Sequence, residues 1–590
     1  MKKNLHLFVA GLVLTLIQSS VHGQTYSRDI TTTLMVNQIG FRPASPKYCI
    51  SPGNKKTSFD VIRVNTGKTV YSGTLIPFHG DFGSYIKAEF SALKDEGEYY
   101  LKTDSSRSYP FTISDSIYNS PITMIAGYFS MQRCGASSTG YLTPCHTDDG
   151  VRIDNGIHQD VSGGWHDASD LRKWVGATIY GMIGLAKTYE LQKGPLRARL
   201  LDELIWGNSY FLRMQEPAGY VMSFVGGDVK KHSDSNRWTD NEIGQESGEL
   251  KFLRPNAGSS TTPMLIFGNK DDRVIETAPL DRVGQFNFIS AEAMMCRITK
   301  SGDPDYAKKC LQAAEKCFQY VTRQKIDSAS VTLGAAIHAA LEMFKTTGLM
   351  KYKSFAVKSA AALQTLQVKN EKADLEGFFL NSFKKSEPSN EIWQGCIGFI
   401  AIADLCQAFP DHADVHRWKQ ILRLYGQNYL SELSKRNAFS IVPFGLFNTD
   451  PGGARKVGRY WYRYFMKPEL DWWVGINSNL ASAGVGLVKA AKILQDDEML
   501  NLAQEQLDWI AGVNPFASST IIGIGRNHPV HFQGESFTPS TPIIPGAVMN
   551  GLGGTKNDEP AIGSGDWQIS EYWTPMVSYT LWLIAELSVK

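Results

Sequence analysis

Between Leu34 and Ile113 the apolar positions come in short alternating runs. Phe59-Asp60-Val61-Ile62-Arg63-Val64, Thr69-Val70-Tyr71 and Tyr99-Tyr100-Leu101 are separated by turns containing Gly, Asn and Pro, which is the pattern of strands. Such a series predicts a β-sandwich. After Ser114 the period lengthens to that of a helix, with Pro121 well placed at a helix start. Ile179, Met182, Ile183 and Ala186 then keep one face apolar, as do Leu333, Ile337, Leu341 and Phe344. Leu480, Leu487, Ala491 and Leu494 repeat the stripe, followed by Leu502, Leu507 and Ile510. Helix pairs without intervening strands predict an α/α barrel of roughly six hairpins. The fold expected is therefore multidomain, an N-terminal β-sandwich followed by an all-α (α/α)6 barrel. Long loops, Val225 to Ala278 and Asn437 to Asn477, are expected to build a cleft at one barrel end.

Residues 1–23 change the picture at the start of the chain. Lys2 and Lys3, an apolar run from Leu7 to Ile17 and Val21-His22-Gly23 before Gln24 read as a secretory signal. The apolar run is too short to span a bilayer with margin. The boundaries read are thus 1–23 for the signal, 24–115 for the sandwich and 116–590 for the barrel. Export, secreted or periplasmic, is expected, with no membrane insertion. The signal carries two lysines and no acid, so the remainder balances at 58 basic and 58 acidic residues. That balance gives no nucleic-acid signature. Among the eight cysteines, Cys310 and Cys317 lie two turns apart in an apparent helix, and Cys296, Cys396 and Cys406 sit among apolar residues. These read as buried thiols.

The chemistry concentrates in Gly163-Gly164-Trp165-His166-Asp167-Ala168-Ser169-Asp170. Two aspartates three residues apart in a glycine-led turn can aim at one point, and Glu571 on a distant segment can face them. Paired carboxyls of this kind cleave a glycosidic bond by inversion: one acid protonates the leaving oxygen while a carboxylate deprotonates a water. The plain alternatives are solvated surface aspartates and, for Glu571, a charge that complements the dipole of the last helix. Cys134, Cys145, His146 and His166 make a second constellation, the donor set of a closed structural zinc. A Cys134–Cys145 disulfide is the competing reading. Trp165, Trp174, Trp238, Trp393, Tyr460, Trp461, Trp472 and Trp473 are candidates for stacking on sugars; of these Trp238, Tyr460 and Trp461 fall on loops and are preferred over helix-embedded Trp206 and Trp509. Asp148, Asp149, Asp271 and Asp272 form acidic pairs read as solvated charge. Calcium is a possible occupant, though no stretch has the spacing of an EF-hand loop.

These segments together resemble glycoside hydrolase family 9, in the subgroup with an N-terminal immunoglobulin-like domain. Gly163 to Asp170 is similar to its GGW-[HY]-DAGD segment, with Ser169 in place of a glycine. Asp566-Trp567-Gln568-Ile569-Ser570-Glu571 resembles its closing D-Y-x-x-N-E segment. Leu507 to Pro515 with Gly523-Ile524-Gly525 resembles a late helix end and loop, and Met35 to Phe41 the opening strand of the immunoglobulin-like domain. The resemblance implies an (α/α)6 barrel, Asp170 as the general base, Asp167 as its helper in fixing water, and Glu571 as the general acid. It also implies a structural zinc whose last ligand, His166, precedes the first aspartate. One departure stands out. The family commonly has a His-His-Arg triplet gripping the sugar, where this chain has Val530-His531-Phe532. His531 matches the middle residue, but Phe532 cannot donate the forked bonds of a guanidinium.

The reading is an exported inverting hydrolase of β-linked glucan, β-1,4-glucanase-like with altered recognition. A substituted or mixed-linkage β-glucan, or an amino-sugar polymer, stays open as substrate. The rivals are a polysaccharide lyase on an α/α barrel and a non-catalytic glycan-binding protein. Retention of Asp167, Asp170 and Glu571 argues against mere binding, which needs no acid opposite a base.

Overall fold

The structure, a computed structural model, describes residues 34–589 apart from 142–144, 148, 227–272, 324–328, 370–374, 394, 471 and 535–540. The proposed signal and Trp238 therefore lie outside the described residues, as do Asp148, Asp271 and Asp272.

Six antiparallel strands build the first unit: β1 (Tyr48–Pro52), β2 (Thr57–Arg63), β3 (Thr69–Gly80), β4 (Gly83–Glu89), β5 (Gly97–Lys102) and β6 (Phe111–Ile113), in the order β1-β4-β3-β2-β5-β6. The long β3 serves both halves, pairing Leu75 with Thr57 of β2 and Phe78 with Tyr85 of β4. Their inward residues, among them Phe59, Val61, Leu75, Ile86 and Leu101, share one core with Leu34, Phe41 and Phe111. The alternation read from sequence is this inward set.

Twelve longer helices follow among the described residues: α1 (Asn119–Met131), α2 (Val175–Leu191), α3 (Leu196–Arg213), α4 (Arg282–Thr299), α5 (Pro304–Arg323), α6 (Ser330–Thr347), α7 (Met350–Thr365), α8 (Ile397–Ala408), α9 (Val415–Arg423), α10 (Asn477–Leu494), α11 (Asp497–Ile510) and α12 (Thr574–Ser588). Each of α2, α4, α6, α8, α10 and α12 packs on the next, and α12 closes back on α2, forming an inner ring. These helices are buried on nearly every face, as expected of a helix surrounded by others. The outer helices are amphipathic. In α5 Ala307, Cys310, Ala313, Ala314, Cys317 and Val321 are buried, Leu311 and Phe318 pack half-buried on the core, and Lys308, Lys309, Gln312, Lys316 and Gln319 face outward.

The ring brings six helix N-termini to one end of the barrel. The connections that cross this end carry the cleft. At the other end the ring is stitched by buried charges: Lys187 on α2 pairs with Glu342 on α6 at 2.7 Å, and Lys489 on α10 with Asp404 on α8 at 2.9 Å and Glu586 on α12 at 3.2 Å.

The sandwich and barrel are joined through a common apolar seam. Met35, Ile39, Tyr48, Ile50 and Phe82 belong to the barrel's core rather than to that of the sandwich. Asn37 donates to Asp508 of α11 at 2.6 Å, and Gln38 donates to the Ala517 carbonyl at 2.9 Å. Lys87 pairs with Glu505 of α11 at 3.1 Å.

Candidate active site

The turn that presents the aspartates runs from α1 to α2. Gly163 and Gly164 both adopt left-handed backbone, at φ 84° and 76°. At Gly164 a Cβ would also strike the Tyr210 ring at 2.8 Å, so the position needs glycine on two counts. Leu171, just after the aspartates, is left-handed as well, at φ 63°. This reversal folds Arg172 back onto Asp170. The Arg172 amide donates to Oδ1 of Asp170 at 3.2 Å and its Nε to Oδ2 at 2.7 Å.

Asp167 is held at the seam where α12 meets α2. Its Oδ1 accepts from the Trp174 amide at 3.3 Å and its Oδ2 from Nε1 of Trp573 at 2.9 Å. Its carbonyl accepts both the amide and the hydroxyl of Thr574, the first residue of α12. Asp167 is 2 % exposed and Asp170 8 %. Burial, with the adjacent Asp170 charge, pushes the Asp167 carboxyl well above the usual carboxylate range, against the pull of Arg172.

Glu571 arrives on a separate device. Asp566 caps a short helix, Trp567–Ser570, by accepting from the Ile569 amide at 3.1 Å, and Glu571 follows as its C-cap in extended backbone. Its Oε1 accepts from the Ser169 hydroxyl, and from the Ser169 amide at 3.2 Å. The carboxyl therefore faces the aspartate turn rather than the N-terminus of α12, which disposes of the dipole alternative. Burial first, then the negative charge of Asp170, raise its pKa to about 8, while the Ser169 hydrogen bonds oppose the rise.

Asp167, Asp170 and Glu571 line one pocket of about 500 Å³ with Arg172, Asn550 and a wall of aromatic rings. Trp393 stands edge-on to Trp472 and Trp573 at 5.4 and 5.2 Å, and Trp472 lies 6.1 Å from Trp567. Trp174, under the Arg172 guanidinium at 4.8 Å, completes the wall. A second cavity of about 340 Å³ shares Trp174, Trp393 and Trp573 and continues toward Tyr180, Asn287 and Asp281 at the start of α4.

Three of the loop residues favoured for sugar binding do not line this pocket. Tyr460 is 4 % exposed, packed edge-on against Phe378 at 5.0 Å. Trp461 lies on the same short strand, opposite Phe447 and Lys456, with the Lys456 ammonium over its ring. Their loop folds into a three-stranded sheet of its own, and only its later part reaches the cleft, at Trp472. His531 lies behind the wall, its ring 6.0 Å from Tyr572 and its Nε2 3.3 Å from the Thr541 carbonyl; the neighbouring Phe532 takes the lining position. Trp165 is core, packed on Phe129.

Sequence reading also misjudged Asp149 as solvated charge. It is fully enclosed, gripped by Arg273 through two bonds of 2.7 Å and by Lys173 at 2.8 Å. Lys173 reaches on to the Val161 and Gly163 carbonyls, and Arg273 to that of Leu171. This buried triad clamps both ends of the aspartate turn.

Beside the turn, Cys134, Cys145, His146 and His166 are all buried, with one donor atom each inside a 4.8 Å cluster. Sγ of Cys134 lies 3.2 Å from Nδ1 of His146, that nitrogen 3.3 Å from Nε2 of His166, and the latter 3.8 Å from Sγ of Cys145. No disulfide joins the two thiols. The other six cysteines form no disulfide either; of the five read as buried thiols, Cys296, Cys310, Cys317 and Cys406 are buried and Cys396 is half-buried.

Carboxyls gathered in an aromatic cleft at the open end of an (α/α)6 barrel define a glycan-cleaving enzyme. Residues 118–581 match the family model of glycosyl hydrolase family 9, and residues 29–108 match that of the cellulase N-terminal ig-like domain. The chain belongs to glycosyl hydrolase family 9 and is an inverting glycoside hydrolase; the lyase and binding-protein readings are not favoured. It is 31% identical to a cellodextrinase of Butyrivibrio fibrisolvens, over 90% of this chain and 92% of that protein. It is 25% identical to Endoglucanase D of Acetivibrio thermocellus, over 89% and 78% of the two chains. A crystal structure of a metagenome-derived family 9 endoglucanase superposes with a TM-score of 0.68 at 21% identity, covering 94% of this chain and 99% of that one. Among the described residues no helix is long and apolar enough to cross a membrane.

Proposed function

We propose that this chain is an exported hydrolase of β-1,4-linked glucan, with Glu571 as general acid and Asp170 as general base. The observation that carries the reading is the meeting of Asp167, Asp170 and Glu571 in one tryptophan-walled pocket. Flat aromatic faces suit the C–H faces of β-glucosyl rings. Glu571, raised to about 8, holds its proton at neutral pH and can deliver it to the leaving oxygen. Asp170, locked by Arg172, receives the proton of the attacking water, while Asp167 ties the turn to Trp573 and α12. The likeness to a cellodextrinase and this pocket favour cello-oligosaccharides or β-glucan, and Phe532 in the wall supports a recognition surface different from a charged grip.

Glu571→Gln is expected to lose about 10²–10⁴-fold in turnover on an unactivated glycan, with binding nearly intact, and Asp170→Asn to lose at least as much. A Glu571→Gln rate above about a tenth of wild type would remove glutamate from the role of acid. Product release from a panel of β-glucans, followed by chromatography, measures both points, and the wild-type rate should fall as pH rises through about 8.

The four buried donors fit a structural zinc. Tetrahedral bonds of about 2.0–2.3 Å give donor separations of about 3.3–3.8 Å; three of the separations are 3.2, 3.3 and 3.8 Å, and all lie within 4.8 Å. Four protein ligands leave no open position, so such a zinc would supply rigidity and no Lewis acid. Cys134, Cys145, His146 and His166 would hold it, one residue before Asp167. Elemental analysis should find about one zinc per chain, lost in Cys145→Ser together with thermal stability. A Cys134–Cys145 sulfur–sulfur bond in the purified protein would exclude it.

A further inference from the structure

Ser169 stands where the family resemblance has glycine, and it touches the acid. Its hydroxyl and its amide both donate to the same oxygen, Oε1 of Glu571. The side chain is almost wholly enclosed, and its backbone is not among the left-handed residues, so nothing in the turn demands glycine here. We propose that Ser169 is a positioning residue for the general acid: by occupying Oε1 with two donated hydrogen bonds it leaves the catalytic proton on Oε2.

The argument from chemistry is short. A carboxyl oxygen that accepts two hydrogen bonds is the carbonyl oxygen of the protonated group, and the O–H is then the other one. A glycine could offer the amide alone, and the carboxyl would keep freedom to turn about its last bond. A donated hydroxyl also binds the carboxylate more strongly than the neutral acid, so it favours proton loss. This counters what holds the proton on, burial first and then the negative charge of Asp170 with a smaller part from Asp167; Tyr128 of α1 and Tyr572 of the acid's own segment are nearby as neutral phenols, and Arg172 lines the same pocket. Ser169 thus keeps the acid releasable as well as aimed.

The inference rests on Glu571 being the acid, and the test separates the two. The pH dependence of kcat/KM is measured on cellotetraose and on a dinitrophenyl β-cellobioside for wild type, Ser169→Gly, Ser169→Ala and Glu571→Gln. Both serine variants should move the alkaline limb upward by about one pH unit, the worth of a hydrogen bond to a charged group. Their maximal kcat on cellotetraose should drop several-fold with KM unchanged, and the dinitrophenyl substrate, which needs little protonation, should hardly notice. Limbs that stay in place or move downward in both variants overturn the role of Ser169, while a dead Glu571→Gln shows that the acid itself stands. A Glu571→Gln enzyme still active on cellotetraose overturns both together. Melting temperatures close to wild type accompany the expected result, since the change is electrostatic and local.

Discussion

At the scale of single residues, the barrel contains two glutamates whose burial has opposite meanings. Glu571 is raised beside a cleft, where a proton can be used. Glu292, in the middle of α4, is raised to about 8 where nothing can use it: Asn208 donates to its Oε2 at 3.3 Å, and Oε1 has no partner. Desolvation is the first cause, and the folded state therefore binds a proton that the unfolded chain releases near its ordinary pKa of about 4.3. With the folded pKa raised, the stabilisation is full at acid pH, shrinks as pH climbs above the unfolded value and is gone once pH passes about 8. Glu292→Gln should flatten the decline in melting temperature between pH 6 and pH 9. An unchanged slope would mean that Glu292 is charged in the folded protein. The sequence offered no means of singling out this glutamate, because only burial distinguishes it from the many solvated ones.

At the scale of elements, what could be read in advance was periodic or local. Stripes such as Leu333, Ile337 and Leu341 announced α6, and alternation in Phe59 to Val64 announced β2, because burial on one face imposes a period. The Asp167, Asp170 and Glu571 set was legible because chemistry requires particular residue types in motifs of fixed spacing. Tyr460 and Trp461 misled, since a loop that builds its own small sheet turns rings inward, and strand pairing between Leu446 and Tyr462 leaves no mark in composition. The clamp of Asp149, Lys173 and Arg273 was hidden for a related reason: its members lie up to 124 residues apart. Removing one partner from such a buried set strands a charge, and Arg273→Met is expected to cost about 3–5 kcal/mol. Because the clamp seats the aspartate turn, kcat should fall more than KM rises. Equal stability in a denaturant titration would show that the pair is dispensable.

At the scale of the whole molecule, the sandwich behaves as a wall of the barrel. Tyr48 and Phe82 complete the barrel's apolar core, and Asn37 joins Gln504 in donating to Oδ1 of the buried Asp508 carboxyl. All 13 tryptophans lie beyond the sandwich, so tryptophan fluorescence reports the barrel alone. Asn37→Ala, made in the sandwich, should nevertheless shift the fluorescence-detected unfolding midpoint, by a loss of about 1–3 kcal/mol for a buried acceptor left short of a donor. A midpoint that does not move would show two independently stable units.

The ring closes where α12 meets α2, and this carries a consequence in time. Ser169 and Glu571, which touch in the finished protein, are 402 residues apart in the chain. A ribosome adding about 5–20 residues per second takes roughly 20–80 s to travel that far. Throughout that interval the aspartates exist without the glutamate proposed as their acid, and the inner ring stands open at the seam that Thr574 will fill. The nascent chain is therefore born inert. On the proposed roles, its hydrolytic power arrives in a single late event, when the segment that completes the core also brings Glu571 to the aspartates.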